Sequence, residues 1–342
     1  MTRARAACLS LLGLGLGIWL PAVAAAQESA PPDSVPPEAE PPEAAPPETA
    51  DQATTRQNAA SDAAQHGEMA PAPDPVAIFQ DYLKAAQDGD PQAQGRVGDM
   101  YARGDGVDQN LGQARAWDER AAEAGVAGAQ ANLAQLYEMG QGTDVDYTAA
   151  RVWYERAADQ GNAGALYSLG VMYDKGEGVS SDTTRAAQYY RESAERGDAD
   201  AQYALGLMYA RGDGVPRDDQ VATGWLYRAA KQGLDNAQYE LGLRYMAGRG
   251  AAQNEASAFN WFLRAAQQGD IDAEYQLSQM YADGRGVGRD TLRAYAWAFL
   301  SASAGNTRAQ DYLVTVQESL TPAEKAGAIN MADGLIATPA AK

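Results

Sequence analysis

The side chains that most often carry catalysis are scarce in this 342-residue sequence. It holds one histidine, His66, and one cysteine, Cys8. A Ser/His/Asp triad needs a histidine held beside a serine, and zinc sites use several histidine or cysteine ligands. His66 lies in a segment rich in proline and acidic residues, and Cys8 lies in an apolar run near the start of the chain. The sequence therefore predicts no catalytic residues of these kinds, no metal site and no cofactor.

Acidic residues are plentiful, but their positions favour a structural role. Asp218 and Asp219 form a pair of the kind that could act as acid and base, yet Asp218 stands where a helix N-cap is expected. Glycine pairs such as Gly104 and Gly106 follow predicted helices rather than strands, and a phosphate-binding loop requires a strand. We therefore expect that this protein is not an enzyme, although the sequence does not exclude a cell-wall activity.

One set of side chains could bind a partner. Tyrosines recur every 36 residues, and an apolar residue stands four positions after each of the first three. The set is Tyr167, Val171, Tyr203, Leu207, Tyr239, Leu243 and Tyr275. On a helical wheel these residues lie roughly opposite an Ala/Leu face, so they could form an aromatic ladder that holds an extended peptide or a partner helix. The alternative is that they only pack between adjacent helices.

A 36-residue internal repeat positions this set. Its reference tyrosine, in the context MYARGDGV or a variant of it, stands at Tyr101, Tyr137, Tyr173, Tyr209, Tyr245 and Tyr281. Counted from this tyrosine, every unit has alanine at −8 and +13, glycine at +3, +5 and +24, and Asp or Asn at +9. Each unit thus predicts two helices. Glycine +3 ends the first, and the second follows an N-cap at +9.

The predicted fold is all-α: an α/α solenoid, a right-handed superhelix of six 36-residue helix-turn-helix repeats. One helix pair cannot bury its apolar face alone, but stacked pairs can, and the first helices would then line a concave surface. Capping helices are expected at both ends. A single helix over 75–89 precedes the first repeat, and a capping box at Thr321 and Glu324 opens a final helix.

The first quarter of the chain has a different composition. Residues 1–26 combine Arg3 and Arg5, an apolar run and small residues before the expected cleavage point, which is the pattern of a secretory signal peptide. Residues 27–75 are rich in Pro, Glu and Ala and predict a disordered acidic linker. We divide the chain into 1–26 signal peptide, 27–75 linker, 76–317 solenoid and 318–342 capping helix and tail.

These features predict export by the general secretory route to the periplasm, with secretion as the alternative. The apolar run is short for a membrane span, so no stable membrane insertion is expected after signal cleavage. The net charge is −19. Such an acidic chain is a poor match for nucleic acid.

The repeat AQYALGLMYARGDGVPRDDQVATGWLYRAAKQG at Ala201–Gly233 resembles the Sel-one-like repeat family, a relative of tetratricopeptide repeats. The resemblance covers about Val76–Gln317. It implies a scaffold for protein–protein interaction, and exported bacterial members are similar to adaptors of envelope signalling and scaffolds of polysaccharide secretion. It therefore implies a protein partner in the cell envelope, such as the periplasmic domain of a sensor kinase or a component of a secretion complex.

Two other functions remain open at this point. Aromatic stripes also stack on sugars, so the protein could bind or modify cell-wall glycans. It could also be a secreted, host-directed effector that uses its three Arg-Gly-Asp tripeptides for adhesion. These tripeptides lie at Arg103–Asp105, Arg196–Asp198 and Arg211–Asp213. Their positions at the predicted helix ends favour a capping role instead.

Overall fold

Helices alone make up the regular structure of the computed structural model, which describes residues 74–316 and 319–337. Fifteen α-helices and no strands are found in these residues. They are α1 (Pro75–Gln87), α2 (Pro91–Arg103), α3 (Leu111–Glu123), α4 (Ala127–Met139), α5 (Tyr147–Asp159), α6 (Ala163–Lys175), α7 (Thr183–Glu195), α8 (Ala199–Arg211), α9 (Asp219–Lys231), α10 (Asp235–Ala247), α11 (Glu255–Gln267), α12 (Ile271–Asp283), α13 (Thr291–Ser303), α14 (Thr307–Val316) and α15 (Pro322–Ala337). The predicted signal peptide, the linker up to residue 73 and the last five residues lie outside the described part.

The helices form six consecutive pairs, which confirms the predicted fold class. Repeats 1 to 6 are α2–α3, α4–α5, α6–α7, α8–α9, α10–α11 and α12–α13, and each helix packs against its neighbours along the chain. We call the two members of a pair the first and second helix. Helix α1 packs on α2 as a second helix without a partner, as predicted.

Local capping fixes where the helices begin. The Asp or Asn at +9 accepts a backbone N–H from the first turn of every second helix; Asp218 Oδ1, for example, accepts from Gln220 and Val221 at 2.9 and 3.0 Å. Its own N–H donates to the carbonyl of the reference tyrosine, as from Asp218 to Tyr209 at 2.9 Å. The helix start and the preceding turn are therefore held by the same residue.

First helices end at a left-handed glycine, as predicted. Gly212 has φ 84°, and its N–H donates to the carbonyl of Met208 at 2.7 Å. The second helices end just before glycine +24, which follows the C-cap residue. Gly233, one residue after the C-cap Gln232, has φ 100°.

The glycine at +5 has a second purpose that the repeat pattern does not show. At Gly250 a Cβ atom would lie 1.9 Å from the carbonyl oxygen of Asp219, in the second helix of the preceding repeat. A side chain there would collide with that helix. Gly250 thus lets the loop of one repeat touch the helix of the one before it.

Small residues fill the contacts between helices. Ala201, Ala222 and Leu205 of repeat 4 are fully buried. The aromatic residue at +16 lies between helix pairs, and Trp261 and Trp297 are almost fully enclosed. Where +19 is arginine, its guanidinium stacks on that ring from outside, in pairs such as Arg228 over Trp225 at 4.8 Å. Clusters of buried apolar residues therefore extend from one repeat into the next.

The last helix covers the C-terminal end of the array, as predicted. Thr321 and Glu324 form the expected capping box, with the Thr321 N–H donating to Glu324 Oε2 at 2.8 Å. Helix α15 packs on α13 through Ala328 and Ala332. None of the helices in the described range is long and apolar enough to cross a membrane.

Candidate functional site

The seven residues predicted to bind a partner lie on successive first helices. Their side chains are all half-buried, with part of each open to solvent. We call them the first-helix stripe: Tyr167 and Val171 on α6, Tyr203 and Leu207 on α8, Tyr239 and Leu243 on α10, and Tyr275 on α12. On α12 the residue four positions after the tyrosine is Gln279, so the apolar part of the stripe ends at repeat 5.

Two of the stripe tyrosines pack on an aromatic ring of their own repeat. The ring of Tyr167 lies 5.7 Å from that of Tyr190, and the ring of Tyr239 lies 5.7 Å from that of Phe262, measured between centroids. Tyr190 and Phe262 both stand at +17, on the second helix. For these two tyrosines the aromatic partner therefore lies on the second helix of the same repeat. All four stripe tyrosines remain partly accessible to solvent.

Carboxylates from the following repeat face the stripe tyrosines. Burial raises the pKa of Tyr167, Tyr203 and Tyr239, and in each case the largest electrostatic contribution comes from an acid one repeat further on. These acids are Asp200 for Tyr167, Glu240 for Tyr203 and Asp272 for Tyr239. The stripe is therefore a row in which tyrosines alternate with carboxylates.

An arginine closes this row at its C-terminal end. The guanidinium of Arg308 lies 5.2 Å from the centre of the Tyr275 ring, and its Nη2 donates to Asp272 Oδ1 at 2.6 Å. Arg308 belongs to α14, which occupies the place of a next first helix. Here the protein itself supplies the cation that sits on a tyrosine and a carboxylate.

The stripe does not continue into the first two repeats, where Gly95 and Ala131 replace the tyrosine. An acidic cluster lies there instead. Asp118 is 1% exposed and its Oδ1 has no hydrogen-bond partner, while Asn132 donates to Asp99 at 2.7 Å. Burial, followed by the charge of Asp99, raises the pKa of Asp118 to about 8.

Asp118 and a second buried acid, Glu274 of repeat 6, were not expected from the sequence. Burial, followed by the charge of Asp270, raises the pKa of Glu274 to about 7. In the sequence, both acids stand out only by comparison with the equivalent positions of the other repeats. Asp118 stands at +17, a position that is aromatic or aliphatic in the other five repeats, and Glu274 stands at −7, which is otherwise mostly glutamine.

The acidic pair considered for catalysis is held in structural contacts. Asp218 is the N-cap of α9, as predicted. Asp219 pairs with Arg217 at 2.9 Å and with the buried Arg244 at 3.3 Å. The Arg217 hydrogen bond, with a smaller contribution from Arg244, lowers the pKa of Asp219. In residues 74–316 and 319–337 no group of three or more His, Cys, Asp or Glu is placed to hold a metal ion.

The Arg-Gly-Asp tripeptides are helix-capping sequences, as their positions predict. In two of them Gly104 and Gly212 cap the ends of α2 and α8. In the third, Asp198 is the N-cap of α8 and accepts the N–H of Ala201 at 2.8 Å. Helix capping thus explains all three copies.

An array of paired 13-residue helices with a 36-residue period and glycine-capped turns defines an α/α helical repeat protein. Within that class, the chain belongs to the Sel1 repeat family. The Sel1 repeat model matches six consecutive segments, residues 91–126, 127–162, 163–198, 199–234, 235–270 and 271–306. Each matched segment begins with a first helix and ends just after a second one.

Solved structures agree with this assignment. A protective antigen of uropathogenic Escherichia coli that displays an SLR fold is 32% identical, with a TM-score of 0.68 over 75% of this chain. The match spans 56% of the antigen's own length. A Sel1 repeat protein from Oxalobacter formigenes is 36% identical, with a TM-score of 0.62, and the match covers 71% of this chain and 70% of that one. Among curated proteins no match is found.

Proposed function

We propose that this protein is an exported scaffold that holds a protein partner in the bacterial cell envelope along the first-helix stripe. The observation that carries the proposal is the recurrence of a half-exposed tyrosine at the same register in four successive repeats. A solenoid offers such a row to an extended partner, because each repeat adds one contact at a fixed spacing.

Tyrosine suits this role on energetic grounds. Its ring supplies a large contact area and loses little conformational freedom on binding, and aromatic residues are enriched among the side chains that dominate interfaces. Packing against Tyr190 and Phe262 already orders Tyr167 and Tyr239. A partner would therefore meet a preorganised surface.

The location in the envelope rests on the predicted signal peptide, Met1–Ala26. Export through the general secretory route to the periplasm fits both that segment and the family resemblance, and full secretion is the alternative. Within the periplasm we propose as partner the sensory domain of a kinase or a component of a polysaccharide-secretion complex.

Site-specific photocrosslinking in living cells tests the proposal. A benzophenone amino acid replaces Ala204, which lies beside Tyr203 on the partly exposed side of α8. The matched control places it at Val152, an exposed residue of second helix α5. We expect a discrete crosslinked protein from position 204 in the periplasmic fraction and none from position 152. Equal crosslinking from both positions, or none from either, contradicts the proposal.

Binding of cell-wall glycans is the second candidate, because half-exposed aromatic rings beside carboxylates can also hold sugars. Cosedimentation of the full chain with purified peptidoglycan distinguishes the two. Saturable binding that is lost in the variant Tyr203→Ala would favour the glycan over a protein partner.

A further inference from the structure

We propose that the partner segment inserts a lysine or arginine side chain between Asp200, Tyr203 and Glu240, with apolar neighbours on Leu207 and Leu243. This inference rests on the proposed function of the first-helix stripe and adds the chemistry of the partner. It names one subsite within the stripe, on first helices α8 and α10.

The protein contains an internal copy of the proposed contact. At the end of the array Arg308 stacks on Tyr275 at 5.2 Å and pairs with Asp272 at 2.6 Å. Aromatic rings attract cations through their negative faces, and a carboxylate beside the ring adds a charge-assisted hydrogen bond. This part of the stripe thus accommodates a guanidinium.

The same tyrosine and aspartate recur two repeats earlier without that arginine. Tyr203 and Asp200 stand 72 residues before Tyr275 and Asp272, at the same positions of a first helix. The position equivalent to Arg308 is then Asn236, which is exposed and carries no charge. The subsite at Tyr203 therefore has the acceptors for a cation but no internal cation to occupy it.

Electrostatics around Tyr203 also favour a cation. Burial raises the pKa of this tyrosine, and Glu240, Asp235 and Asp270 raise it further, while Arg211 on the same helix lowers it. Neither Asp200 nor Glu240 forms an ion pair with any residue in the described ranges. The carboxylates outnumber the single arginine, so an incoming lysine or arginine would complement the local charge.

The apolar surface beside the subsite restricts which basic segments fit. Leu207 and Leu243 are half-buried and lie one helical turn beyond Tyr203 and Tyr239. A segment composed only of basic residues would leave this surface without a partner. We therefore expect a basic residue flanked by leucine, valine or an aromatic residue.

The test uses the full chain and fluorescently labelled nine-residue peptides that have one central residue between two leucines. The central residue is lysine, norleucine or glutamate. Fluorescence anisotropy at low ionic strength is expected to show tighter binding of the lysine peptide. The double variant Asp200→Asn, Glu240→Gln should weaken that binding by about fivefold. The control variant Glu123→Gln, Glu195→Gln removes the same charge from second helices and should leave it unchanged.

A gain-of-contact variant makes the test sharper. Asn236→Arg places an arginine where Arg308 lies at the end of the array, so it should occupy the subsite from within and weaken binding of the lysine peptide by about tenfold. Asn236→Gln keeps the position neutral and should bind like the natural protein. Thermal unfolding of each variant verifies that the fold is intact.

Three outcomes overturn the inference: equal binding of the lysine and glutamate peptides, no binding of the lysine peptide, or no effect of Asn236→Arg. If photocrosslinking from position 204 still captures a partner in those cases, the proposed function stands and only the cationic chemistry is wrong. If position 204 captures nothing while the lysine peptide binds selectively, the subsite exists but the scaffold function fails.

Discussion

Glu274 occupies in repeat 6 the buried position that Gln238 occupies in repeat 5. The amide of Gln238 donates to the carbonyl oxygen of Ala230 at 3.1 Å, across the boundary between two repeats. Gln130 and Gln202 make the same contact at 3.1 and 3.0 Å. Glu274 Oε2 has no hydrogen-bond partner. Only a protonated carboxyl group can donate as the glutamines do, so the neutral form of Glu274 fits this position best.

The first prediction is that Glu274→Gln stabilises the protein at alkaline pH. Because burial and then Asp270 raise the pKa of Glu274 in the folded state to about 7, the folded protein holds this proton more tightly than the unfolded chain. Its stabilising contribution is therefore complete below the unfolded pKa and is lost as the pH rises to about 7. The variant has no such loss. We expect a gain of about 2 kcal/mol at pH 8 and little difference at pH 4.5.

Urea denaturation midpoints at the two pH values measure this effect. The mirror variant Gln238→Glu is the matched control, since it should create the same pH dependence one repeat earlier. A gain that is equal at pH 4.5 and pH 8 would show that Glu274 does not change its ionisation in this range.

The second prediction is that Asp118→Leu stabilises the first repeat at neutral and alkaline pH. Asp118 packs against Gly98 at the position where Leu226 packs against Gly206 in repeat 4, so leucine suits the available space. Its pKa of about 8, raised by burial and then by Asp99, means that stability falls as the pH rises from about 4 to 8. The leucine variant should gain about 2 kcal/mol at pH 8, measured by thermal unfolding. A lower unfolding temperature at pH 8 would be the opposite result.

The sequence predicted the fold because its signals are local. Asp218, Gly212 and Thr321 cap their own helix ends, and such contacts can be inferred from residue type and spacing alone. The packing of the first-helix stripe could not be inferred in this way, because Tyr167 and Tyr190 are 23 residues apart and meet only when the helices pair. The burial of Asp118 and Glu274 likewise depends on neighbouring helices, although the repeat register marks both as exceptions.

The third prediction separates two reasons why a position requires glycine: a backbone with positive φ, and a lack of space for a side chain. Gly269→Ala strains a backbone at φ 92° but meets no other atom within 4 Å, whereas Gly250→Ala adds a collision with the Asp219 carbonyl at 1.9 Å. We expect a cost of about 1 kcal/mol for the first change and about 3 kcal/mol or more for the second. Differential scanning calorimetry of the two variants gives the comparison. Equal losses would mean that the loop of repeat 5 can move away from α9 without cost.

The last prediction separates binding from folding along the first-helix stripe. The Tyr239 ring packs on Phe262 at 5.7 Å, so Tyr239→Ala removes core contacts and should cost about 3 kcal/mol. Tyr239→Phe keeps the ring and should stay close to the natural stability. Of the two variants at this residue, only Tyr239→Phe can therefore be used to test binding. Substitutions at Ala204 and Asn236 alter the surface without removing a core side chain. If Tyr239→Ala unfolds at the same urea concentration as the natural protein, the ring contributes little packing, and loss of partner capture in that variant would then be direct proof of contact.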